Sequence, residues 1–152
     1  MPIYRGNINS TLASIVANSS DGEEKQFFYH IPCKKELDTL VYFASNIESK
    51  DRSVFIRVNY EWEYGLRARR IDLVSKEANT ITLYKKSTKF ATDSNAIDLS
   101  RLKESISDTF PHLNVKCMLL YSDIIEEQSI RQTLDSLKLD VGFMTILYLW
   151  HF

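Results

Sequence analysis

Val54-Phe55-Ile56-Arg57-Val58-Asn59-Tyr60-Glu61-Trp62 alternates with a period of two. Val54, Ile56, Val58, Tyr60 and Trp62 share one face, while Phe55, Arg57, Asn59 and Glu61 share the other. That period is a β-strand with one apolar face. Glu63-Tyr64-Gly65 then reads as a three-residue hairpin loop with Gly65 left-handed, which puts Trp62 opposite Leu66 and adds Leu66 and Ala68 to the apolar face. The next apolar residues, Ile71 and Leu73, arrive after a step of three, so a β-bulge is expected at Arg69 or Arg70 to hold the face. A second three-residue loop, Glu77-Ala78-Asn79 with Asn79 left-handed, pairs Leu73 with Leu83 and completes a three-stranded antiparallel meander.

Upstream, Thr11 to Ala17 and Gln26 to Ile31 read as strands of a hairpin around Asn18-Ser19-Ser20-Asp21-Gly22. After Pro32, Leu37, Leu40, Val41, Ala44 and Ile47 recur at helical spacing, with Lys34, Lys35, Glu36, Glu48 and Lys50 on the other face. Downstream, Asp98 and Ser100 are N-cap types ahead of the stripe Leu99, Leu102, Ile106 and Phe110, which Pro111 stops. Val115 to Tyr121 is an apolar strand, Asp123 to Glu126 a capping box, and Ile130, Leu134 and Leu137 mark the helix it opens. Phe143 to Trp150 is apolar on both faces, as in a central strand, and the strand-helix-strand order predicts a parallel right-handed crossover. The expectation is one α+β domain over residues 1–152. It has a mixed, mostly antiparallel sheet, about three helices and a C-terminal strand-helix-strand unit.

Composition limits the function. At 152 residues, 44% hydrophobic and 26% charged, the chain can bury a core of its own. Lysine and arginine total 19 against 20 acids, so no net field favours a polyanion or an anionic membrane. The N-terminus lacks a signal-peptide pattern, no apolar run reaches spanning length, and Cys33 and Cys117 have no partner at metal spacing. A cytoplasmic protein with reduced thiols, of microbial or phage type, is the expectation, with no membrane partner. There is no glycine-rich phosphate loop, and no cofactor is expected.

The stretch from Asn59 to Arg70 crowds aromatics, acids and arginines around Gly65 and is the working surface the sequence favours. The binding residues are read as Tyr60, Glu61, Trp62, Tyr64, Arg67, Arg69, Arg70 and Lys86, of which Glu61, Arg67 and Lys86 share the meander's outer face with Arg57, Asn59, Asp72 and Tyr84. Large rigid side chains beside arginines are the composition of interface hot spots. Interspersed Glu61, Glu63 and Asp72 rank a protein partner above nucleic acid, although aromatics with Lys85, Lys86 and Lys89 could also stack bases and pair phosphates. The bland alternative is a solvated sheet face with cross-strand ion pairs.

Two motif sets resemble enzyme families and depart from them. His30-Ile31-Pro32 and His112-Leu113-Asn114 resemble the paired His-x-Thr/Ser motifs of two-histidine phosphoesterases, but Pro32 and Asn114 stand where phosphate-holding hydroxyls belong. Arg5, Ser10-Thr11 and Glu61-Trp62-Glu63 resemble the Arg, Ser-Thr-Ser and Glu-x-Glu elements of ADP-ribosyltransferases, with the first two too close together and the serine motif reading Ser-Thr-Leu. Neither family is assigned. The function expected is a protein-binding module of inhibitor, immunity or adaptor type. The alternative is a small enzyme acting on nucleic acid or a nucleotide, with Arg67, Arg69 and Arg70 on phosphate and a histidine or Glu61/Glu63 as acid and base.

Overall fold

The computed structural model describes residues 3–8, 12–17, 27–30, 40, 43–44, 46–47, 51–60, 69–121 and 126–145. The chain divides into two compact units, Met1–Ala78 and Asn79–Phe152.

In the first unit the strands are β1 (Ile3–Ile8), β2 (Phe27–His30), β3 (Ser53–Tyr60) and β4 (Arg69–Glu77). β1 pairs antiparallel with β2, from Ile3 opposite His30 to Gly6 opposite Phe27, and parallel with β3 at Asn7–Phe55 and Ile8–Ile56. A parallel pair needs a crossover, and helical residues supply it. Helix α1 (Leu12–Ala17) lies where Thr11 to Ala17 was expected to be a strand. Leu12 and Ile15, three residues apart and each 1% exposed, form the buried face of a helical turn packed on β3, so period three prevails over the short β-type run. The expected hairpin partner of β2 is thereby replaced by β1. The helix foreseen after Pro32 is present at Leu40, Phe43, Ala44, Asn46 and Ile47, and Leu40, Phe43, Ala44 and Ile47 make its buried stripe.

β3 and β4 are antiparallel, as expected, with Ile56 opposite Leu73 and Val58 opposite Ile71. The register stays constant from Ser53–Lys76 to Tyr60–Arg69, so no bulge sits at Arg69 or Arg70. The irregularity is instead at Arg57, whose φ of 54° is left-handed. The face expected to be solvated is covered near the start of β3, where Phe55 and Val74 oppose each other and are both buried. The buried Lys76 ammonium donates to the Ile15 carbonyl (3.1 Å), satisfying an acceptor in the last turn of α1. The turn after β4 is Ala78–Asn79, with Ala78 at φ 54° as its left-handed residue in place of Asn79.

In the second unit, β5 (Thr80–Lys86), β6 (Asn114–Tyr121) and β7 (Gly142–Thr145) alternate with α2 (Thr92–Thr109) and α3 (Glu127–Leu137). β5 pairs parallel with β6, from Thr80–Asn114 to Lys86–Leu120, and β6 pairs parallel with β7, from Met118–Gly142 to Tyr121–Thr145. Two crossovers that step in the same direction place both helices on one face, and α2 packs against β6, β5 and α3. Leu99, Leu102 and Ile106 of α2 are buried, with Ala96 one turn earlier. The strand-helix-strand reading of the C-terminal segment holds, and the pairing is mixed as expected, with more parallel pairs than foreseen: β1–β2 and β3–β4 are antiparallel, and β1–β3, β5–β6 and β6–β7 are parallel.

The helix starts also differ. α2 opens at Thr92, so Asp98 and Ser100 lie inside it. Asp98 instead binds the Lys85 ammonium at 2.6 Å. α3 opens at Glu127 with Glu126 as N-cap, the last residue of the expected capping box, whose Asp123 to Ile125 lie outside the described residues. Phe110 ends α2 beside Pro111, as foreseen. β7 borders only β6 among the described residues, and its side chains from Phe143 to Thr145 are half-buried, so this part is not the central strand expected. Among the described residues, no helix is long and apolar enough to cross a membrane.

Candidate functional site

The β3–β4 pair ends with Asn59 opposite Arg70 and Tyr60 opposite Arg69. Between those ends the chain must reverse direction, and residues 61–68 connect them. Glu61, Trp62, Tyr64, Gly65 and Arg67 lie outside the described residues, as does the loop register proposed for them. The two arginines Arg69 and Arg70 occupy the first positions of β4. Tyr60 is 4% exposed, so it anchors the end of β3 from inside and does not offer a contact surface. Arg57 and Asp72 are half-buried, and Tyr84, expected on an outer face, is buried. Lys86 is half-buried at the end of β5 in the second unit.

That end of the second unit gathers polar groups. Ser87 continues the ladder beyond β5, its N–H donating to the Leu120 carbonyl at 2.8 Å. Asn95 Nδ2 donates to Ser87 Oγ (3.1 Å), and Ser87 Oγ donates to the Thr88 carbonyl (3.1 Å). Thr92 Oγ1 and the Tyr121 hydroxyl lie 2.8 Å apart, both buried. Thr145, opposite Tyr121 in the register, has a buried hydroxyl with no partner among the described residues. These groups belong to the carboxyl ends of parallel strands, where open α/β sheets place ligands. Nothing in the chain's spacing announced them, because Thr92 and Tyr121 meet only through the fold.

A separate pocket of about 240 Å³ lies between α3 and β7, lined by Met118, Arg131, Leu134, Asp135, Val141, Gly142 and Phe143. Its Arg131 guanidinium sits 5.5 Å from the centre of the Phe143 ring. Among the described residues, no group of three or more histidines, cysteines or acids could hold a metal ion. His112 is exposed and meets Phe110 edge-on at 6.4 Å, and His30 is the last residue of β2. Cys117 is buried with its thiol donating to the Leu99 carbonyl (3.4 Å), and burial pushes that thiol up to about 12. It is the apolar filler expected and not a nucleophile. The most exposed large apolar side chain described, Phe90 at 98%, stands on the 3-10 turn Lys89–Ala91 ahead of α2, and no sequence pattern marks it.

No family model matches the chain, and no curated protein matches it. It is similar to the crystal structure of protein VC1899 from Vibrio cholerae, with 16% identity and a TM-score of 0.42. The likeness covers 69% of this chain and 27% of that one, and it is too slight to carry an argument.

Proposed function

We propose that the protein is a small cytoplasmic binding module that recognises a protein partner through the β3–β4 tip, in the manner of an inhibitor, immunity protein or adaptor. One observation carries the reading: β3 and β4 keep a single register up to Tyr60–Arg69, on both sides of the irregular Arg57. A paired stem with Tyr60 buried in it fixes the two ends that the segment 61–68 joins, and the sequence of that segment carries aromatic area and charge in Glu61, Trp62, Tyr64 and Arg67. Rigid aromatics beside arginine gain contact area at small entropy cost, and a rigid stem lowers the ordering cost of binding. The test is affinity purification with mass spectrometry, using the wild-type chain and the Tyr64→Ala and Arg67→Glu chains as baits. The reading expects a partner that the wild type enriches and both variants lose; a partner kept by both removes the tip from the account.

A second reading, an enzyme acting on nucleic acid or a nucleotide, draws support from the polar carboxyl ends of β5 and β6. It expects a nucleotide to bind with an affinity that falls steeply with salt and with Lys86→Ala. Nucleotide titration that gives no saturable signal disposes of it.

A further inference from the structure

The outer face of α2 is where the described surface is least satisfied. Phe90 is 98% and Ile97 37% exposed, although apolar side chains of this size gain most from burial. On a helix, residues 93, 97, 101 and 104 follow one stripe, and Phe90 joins it one turn ahead through the 3-10 turn that leads directly into α2. Lys89, Asp93, Arg101 and Glu104 on this stripe are exposed, and none is in an ion pair among the described residues. By contrast, Lys85 and Lys103 of the same unit are engaged with Asp98 and Asp140.

The charge order is self-complementary about Ile97. Asp93 and Arg101 lie four residues to either side of it, and Lys89 and Glu104 lie eight and seven residues away. We propose that a second copy of this chain docks here, α2 against α2 antiparallel, with a two-fold axis at Ile97. In that arrangement the two Ile97 side chains meet, each Asp93 comes level with Arg101 of the other copy, and each Lys89 comes level with Glu104 of the other copy. Phe90 then covers the aliphatic stem of Arg101 across the interface, beside its guanidinium. A parallel arrangement brings Asp93 to Asp93 and Arg101 to Arg101, so charge selects the antiparallel one. The contact is isologous and closes at two copies. One helix pair buries less than the roughly 1,600 Å² of a standard interface, so the expected dissociation constant is on the order of tens to hundreds of micromolar.

The test is sedimentation equilibrium of the full chain over a concentration series, with circular dichroism to follow the fold. The wild type should shift from monomer to dimer across that range. Asp93→Arg and Arg101→Asp each place like charges at both Asp93–Arg101 contacts and should weaken association at least about tenfold. An equimolar mixture of the two variants restores opposite charges at both contacts, and the mixture should dimerise while neither variant alone does. The variants are on exposed positions, so their folds should persist, and the recovery on mixing reports the interface even if one is less stable. A chain that stays monomeric throughout, as a face built for a different protein would leave it, overturns the proposal. So does a dimer that both charge reversals leave intact, or a mixture that fails to recover.

Discussion

Thr92 and Tyr121 meet 29 positions apart in sequence and show what a single buried contact contributes. Thr92→Val should strand the Tyr121 hydroxyl in the core and cost about 1–3 kcal/mol, while the double change with Tyr121→Phe should cost less than the sum of the two singles. Urea unfolding of the four chains measures the coupling, and strict additivity contradicts the contact. Cys117 makes a pH prediction. Its folded thiol keeps its proton up to about 12, against an ordinary value of 9.0. The contribution of this group to stability is therefore complete below about pH 9 and is lost as pH rises toward 12. The stability difference between wild type and Cys117→Val should shift against the wild type between pH 8 and pH 10.5; a difference independent of pH in that range would contradict the burial of the thiol. The filler role of Cys117 is legible in the sequence, since no basic cluster or histidine at a known spacing marks it as an activated nucleophile. The Thr92–Tyr121 contact was not, because no local pattern encodes a pairing made by a crossover.

Elements were legible where one period dominates. Leu99, Leu102 and Ile106 marked α2, and Ile130 and Leu134 marked α3, and all five are buried. Helix starts were not legible, because residue types suited to capping also serve inside helices: Asp98 has a good N-cap side chain, yet it is held by Lys85. The left-handed position expected at Asn79 falls on Ala78 for a related reason. Sequence rules assign such positions to glycine and asparagine, whereas among the described non-glycine residues Arg57, Ala78 and Lys138 occupy them, each at φ 54°. Lys138 ends α3 at φ 54° and ψ 36°, its N–H donating to the Asp135 carbonyl. Lys138→Gly should relieve the Cβ strain and raise stability by about 1 kcal/mol, measured by thermal or urea unfolding. A loss of stability would show that the Lys138 side chain contributes more than its backbone costs.

At the scale of the whole molecule, the α+β class was legible and the direction of the pairings was less so. Turn chemistry is local, and it pointed correctly to β3–β4 as an antiparallel pair. The β1–β3 pairing depends on a crossover spanning dozens of residues, and α1 within it was mistaken for a strand. The candidate site divides in the same way: Arg69 and Arg70 stand at the head of β4, Tyr60 proves to be core, and Phe90 emerges only once exposure is known. The central claim is that the tip between Tyr60 and Arg69 recognises a protein and does so independently of stability. Titration calorimetry of the captured partner at two salt concentrations, with wild type and the folded Tyr64→Ala chain, tests it most directly. The account predicts a loss of at least about 1–2 kcal/mol of binding for the variant and only a modest salt dependence. Equal affinities for the two chains would contradict it.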